Sequence, residues 1–196
     1  METLYPVLKV VHVMGFVMMS VPLFNLIVVN ERALMGAAFN YATDRFMENI
    51  IRHGAARCYV FQLTVLVSGL LLLALGPLGI QALWTNWVIA AKTLLMALLM
   101  GLLSIVHLRI QPAIESLLGG IGPASPIPEG FGASLKPYRI RRKKMATFCL
   151  FLVLTSIILG MLVYARVQPG LTIGLVALAA LFAVRANKTL IRFGWV

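Results

Sequence analysis

Apolar residues run through this chain in long blocks instead of alternating with polar ones. Four blocks, at about 6–29, 58–76, 87–108 and 145–165, are each long enough to cross a bilayer core of about 30 Å, which takes about 20 helical residues. A fifth, about 170–187, has a shorter uncharged core from Leu171 to Val184, so it spans only if Arg185 snorkels to the interface. The pattern predicts an all-α integral membrane protein, a single bundle of four to five transmembrane helices over residues 1–196. Turn residues mark the breaks: "GPLG" at 76–79 and "QPG" at 168–170 each predict a short connection and an antiparallel hairpin. Residues 109–144, rich in Gly and Pro, are expected to form an irregular surface loop.

Composition agrees with the blocks. Hydrophobic residues make up 61% of the chain and charged residues 12%, where soluble domains carry about a quarter charged. The mean hydropathy is +0.95. In a membrane protein the net charge of +11 is read by position, not as a sign of nucleic acid. With the N-terminus outside and the C-terminus cytoplasmic, 14 of the 17 Lys and Arg fall on the inner side. They comprise Arg32, Arg45, Arg52 and Arg57, seven in the connector 109–144, and Arg185, Lys188 and Arg192; Lys9 and Arg166 stay outside and Lys92 lies within a span. The run "KPYRIRRKK" reads as a topology anchor against the inner leaflet, with an anionic lipid head group or acidic partner as the alternative. Cys58 and Cys149 match no C-x-x-C spacing and read as buried thiols. The first block is too long for a signal-peptide core and is expected to remain as a membrane helix.

The topology gives each ionisable residue a depth. His12, in "LKVVHVMGF", and Lys92, in "WVIAAKTLLMALLM", both fall roughly 7–10 Å below the outer surface at 1.5 Å of rise per residue. Ionisable residues are rare inside spans and mark functional sites by default. His12, Gly15, Met19 and Pro22 form one stripe of the first helix, and Lys92, Met96, Leu99, Leu103 and His107 one of the third. Gly15 is expected to leave room beside the imidazole for a flat group. A porphyrin between the two helices finds a nitrogen ligand in His12, a cation for a propionate in Lys92, and soft walls including Met19 and Met96. Alternatively His12 bonds a neighbouring helix and Lys92 snorkels outward. His53 and His107, both near the inner face, could pair in a second site. Three histidines are one short of two bis-histidine haems, so one haem is the most the chain supports. No nucleotide loop, H-E-x-x-H or G-x-S-x-G is present, and Asp44, Glu48, Glu115 and Glu129 are all expected in connectors.

"LKVVHVMGFVMM", "FMENIIRHGAARCYVFQLTVLVSGLLLL" and "WVIAAKTLLMALLM" resemble the HemJ-type protoporphyrinogen oxidases, within the wider CopD-like group of small membrane proteins. The resemblance covers about residues 4–110 and implies a haem b cofactor, oxidation of protoporphyrinogen IX, and His12 and Lys92 as the functional pair, with His12 on the metal. After the histidine the family usually shows a tryptophan and a Tyr- and Pro-rich run ending in a second histidine, whereas this chain has "FVMMSVPLFNLIVVN", without those aromatics and with Asn30 near the helix end. The expected function is therefore a membrane protein binding one b-type haem or porphyrin, serving electron transfer or porphyrinogen oxidation, in the bacterial inner (cytoplasmic) membrane. Two alternatives stand beside it. One is a non-catalytic accessory subunit of a larger respiratory or photosynthetic complex, or a homo-oligomer, in which Ser68, Gly69, Gly101 and Gly160 serve packing. The other is a copper-related role, suggested by ten scattered methionines and by the CopD-like resemblance. No nucleic-acid partner is expected.

Overall fold

A computed structural model describes residues 3–35, 38–123, 125–163, 165 and 168–188. Arg166 and Arg192, two of the charges used to orient the chain, lie outside the described residues. The described chain is helical, with no strand: α1 (Leu4–Met35), α2 (Tyr41–Leu75), a single turn α3 (Ala82–Thr85), α4 (Trp87–Ile105), a π turn (Val106–Ile110), α5 (Gln111–Gly119), α6 (Phe131–Leu162) and α7 (Pro169–Lys188). Five helices are long and apolar enough to cross a membrane, α4 running on through the π turn and α5 as one span, and Pro169–Lys188 qualifies as the fifth.

Local chemistry sets the boundaries. The Asn40 side chain accepts from the Thr43 amide to start α2, and Asn86 accepts from the Val88 and Ile89 amides to start α4. Gly79, at φ +70°, turns the chain between α2 and α3, and Gly130, at φ +76°, precedes α6. Pro112 follows the π turn, where its missing N–H and its ring prevent a regular α-helical bond and widen the ladder.

Lipid tails are as apolar as leucine, so close packing, not hydrophobicity, decides which faces meet. α6 is the central element, touching α1, α4 and α7, while α1 packs most extensively on α2. Met19, Leu23, Ile27, Val65, Met96, Leu99, Leu150 and Val153 form the core where these helices converge. The opposite faces, carrying for example Val13, Val17, Val60, Val67, Leu94 and Leu181, are exposed as lipid-facing surfaces should be.

Two expectations are corrected at one end of the bundle. The irregular loop expected over 109–144 shrinks to residues 120–130, because α5 and the first four turns of α6 are helical. Asp44, Glu48 and Glu115 are on helices and not in connectors, since α2 begins at Tyr41 and α5 holds Glu115. Both corrections share a cause: these polar stretches satisfy one another. Asp44 and Glu48 are fully buried, as are Asn30 and Arg142. Arg142 donates to both Glu48 oxygens at 2.7 and 2.9 Å, to Asn30 Oδ1 at 2.8 Å and to Gln111 Oε1 at 2.6 Å. Arg139 bridges Asp44 at 2.7 Å and Glu48 at 3.1 Å, and Arg32 adds a two-toothed bond to Asp44. In the basic run, then, Arg139, Arg142 and Lys143 point into protein, and only Lys136, Arg141 and Lys144 are exposed as the anchor reading requires.

Candidate functional site

At the other end of the bundle, α1, α2, α3 and α4 enclose an apolar cleft. His12, Phe16 and Tyr5 line it from α1, Val65, Leu66, Gly69 and Leu73 from α2, and Ile89, Lys92, Thr93 and Met96 from α4. The structure thus brings together His12 and Lys92, the pair matched by depth along the sequence, and adds Met96. It seats them in a cleft walled largely by α2, where the sequence reading placed a porphyrin directly between the first and third spans.

His12 is held by α2. Its Nδ1 lies 3.0 Å from Ser68 Oγ, and the Ser68 hydroxyl lies 2.5 Å from the Thr64 carbonyl and 3.2 Å from the Val65 carbonyl. A hydroxyl has one proton, and with it directed to the Thr64 and Val65 carbonyls, Ser68 Oγ accepts from His12 Nδ1–H. This tautomer leaves the lone pair on Nε2, the nitrogen free to meet a ligand. Gly69 lets the ring come close: a Cβ there would sit 3.1 Å from His12 Cε1. Phe16 packs edge-on to the imidazole, 5.5 Å between centroids.

Lys92 lies half-buried on α4 with its Nζ turned towards α6, 3.2 Å from the position a Cβ on Gly160 would take. It makes no hydrogen bond or ion pair among the described residues. An ammonium inside a span normally has a partner. At the rim, Lys9 Nζ sits over the Tyr5 ring at 4.7 Å.

Gly15 and Met19 stand elsewhere. Gly15 leaves no space beside the imidazole: a Cβ at that position would lie 2.7 Å from Val65 Cγ2, so the glycine serves close approach of α1 to α2. Met19 is 2% exposed and lines a separate, mid-bundle cavity together with Pro22, Leu23 and Gln62. The other two histidines are engaged separately. His53 is exposed and donates from Nδ1 to the Asn49 carbonyl of its own helix at 2.9 Å, whereas His107 sits on the π turn, edge-on to Tyr59 at 5.9 Å, its Nδ1 buried and unbonded among the described residues. Among the described residues no group of three His, Cys, Asp or Glu gathers as a metal site.

The fit of a haem or porphyrin turns on space as well as donors. The enclosed part of the cleft is about 150 Å³, the size of a cavity that holds benzene and well short of a macrocycle. The donors suit the iron and the carboxylates of a tetrapyrrole, whereas the cavity holds only part of such a ring and leaves the remainder in the open mouth of the cleft.

Sequence reasoning passed over Ser68, Gly69, Gly160 and Tyr5 as parts of this site. The signal for the first three was present as small residues within spans, read there as packing positions. Compared with protein-family models, curated proteins and solved structures, the chain gives no match.

Proposed function

We propose that this chain is a membrane-embedded binding protein whose His12–Lys92 cleft takes one carboxylate-bearing ring of the tetrapyrrole class, haem b or a porphyrin, for electron transfer or porphyrinogen oxidation. One observation carries the reading: an imidazole oriented through Nδ1 and an ammonium without an ion-pair partner among the described residues line the same apolar cleft from different helices. His12 Nε2 would hold the iron of such a ring, and Lys92 would hold one of its carboxylates. Phe16, Leu66, Leu73 and Met96 keep water from the face of the ring. A bound haem would supply one-electron chemistry through its iron, tuned by the axial nitrogen and by burial. The positive-inside bias supports a topology with the cleft on the outer side and the ion-paired end on the cytoplasmic side, and the reading is of a bacterial inner-membrane protein.

A fluorescence titration of protoporphyrin IX into the purified protein tests the binding role directly. Saturable binding is expected, with Lys92→Met raising Kd about tenfold, the scale of one charge-assisted contact. Binding no tighter than to empty detergent micelles, or unchanged in the variant, refutes the role given to Lys92.

A further inference from the structure

The ion-paired end carries more positive charge than its buried carboxylates neutralise. Asp44 and Glu48 are two anions facing three guanidiniums, those of Arg32, Arg139 and Arg142. The neighbouring cations do not alter this count, because Lys143 is paired with Glu31 and Arg45 with Glu115. One positive charge therefore remains without a counter-charge among the described residues, in a region where isolated charges are strongly disfavoured.

The surplus borders open space. A cavity of about 500 Å³ lies beside the cluster, its charged side lined by Arg32, Asp44 and Arg139 and by Lys136 one turn earlier on α6, its other side by apolar groups such as Phe39 and Phe131. Lys136 is exposed and adds a second positive charge with no bonded partner among the described residues. Glu129, next along the chain from the cavity wall, is exposed and does not line it. α6 runs for 32 residues and begins without a side-chain cap, so its positive end adds to the field of the three cations.

We infer that this cavity binds a phosphate-type oxyanion, carried on a lipid head group or on a free phosphate compound, which completes the charge balance of the cluster. A guanidinium edge and an ammonium lining one volume suit the several acceptor oxygens of a phosphate. The inference is independent of the His12 cleft, which lies at the opposite end of the bundle.

The test uses the full chain in mild detergent, stripped of lipid, with the thermal midpoint as readout. One arm adds inorganic phosphate against chloride at equal ionic strength; the other adds phosphatidylglycerol against phosphatidylcholine. A rise of several degrees is expected in at least one arm, phosphate indicating a soluble compound and phosphatidylglycerol alone indicating a lipid. Lys136→Gln is expected to shift the half-maximal concentration about tenfold upwards. Ala133→Glu, which places a carboxylate on the cavity wall in a helix turn that favours acids, is expected to abolish the response while the protein stays folded. No rise in either arm, or the same response in wild type and both variants, overturns the inference.

Discussion

A buried polar group that has found no partner distinguishes a structural role from a binding role, and two side chains supply the contrast. Lys92 has a charge that no group among the described residues neutralises. If it only supported the fold, removing its charge would destabilise the bundle. If it waits for a ligand, Lys92→Met should leave the thermal midpoint unchanged or raise it, and weaken only porphyrin binding. Gln62, 2% exposed, is the other case: its Oε1 is unbonded and its Nε2 reaches only the Cys58 sulfur at 3.9 Å. Replacing an unsatisfied buried amide by an apolar side chain of similar size is neutral or stabilising by about 1–3 kcal/mol. Gln62→Leu is accordingly expected to resist unfolding in detergent at least as well as wild type; a clear loss of stability would show that the amide is bonded to something the protein retains. The histidine–lysine pair was legible in the sequence because charge inside an apolar run stands out. Ser68 was not, since a serine in such a run looks the same whether it bonds its own helix, as here to Thr64, or also fixes a histidine across the interface.

Helices are where the sequence reading was most and least successful. Apolar blocks located the five spans, because hydrocarbon thickness sets their length. They did not reveal that α2 starts at Tyr41 and α6 at Phe131, since both extensions are polar and depend on partners far along the chain, Arg139 with Asp44 and Arg142 with Glu48. The periodicity that put Gly15 beside His12 was correct about the stripe and misleading about its use: the glycine is a contact point with Val65 on α2. Gly15→Leu is therefore expected to force α1 and α2 apart at an overpacking cost of about 1–3 kcal/mol, lowering the unfolding midpoint. The same displacement carries His12 away from Ser68, so porphyrin affinity should fall with it. A variant with unchanged stability and unchanged binding would show that the two helices are not held together at this point.

At the scale of the molecule the bundle has two unlike ends, an apolar cleft lined by His12 and Lys92 and a dense ion network. The network sets the relative positions of α1, α2, α5 and α6 through Arg142, which reaches Asn30, Glu48 and Gln111 at once. Removing Arg142 leaves Glu48 paired with Arg139 but takes the donor away from the buried side-chain oxygens of Asn30 and Gln111, and each buried acceptor left unsatisfied costs about 1–3 kcal/mol. Arg142→Met should show a loss of that size in denaturant unfolding, and Arg142→Met with Gln111→Leu should recover part of it. Equal losses in the single and double variants would mean that the Gln111 bond contributes nothing to stability.

The cleft end is tested most directly by the absorption spectrum of the detergent-purified protein, taken oxidised and dithionite-reduced, before and after one equivalent of haem is added. The binding account predicts a Soret band with sharp reduced α and β bands, lost in His12→Ala while that variant stays folded. A spectrum indistinguishable from free haem in detergent, or one identical in wild type and His12→Ala, contradicts it and leaves His12 as a residue that joins α1 to α2 through Ser68.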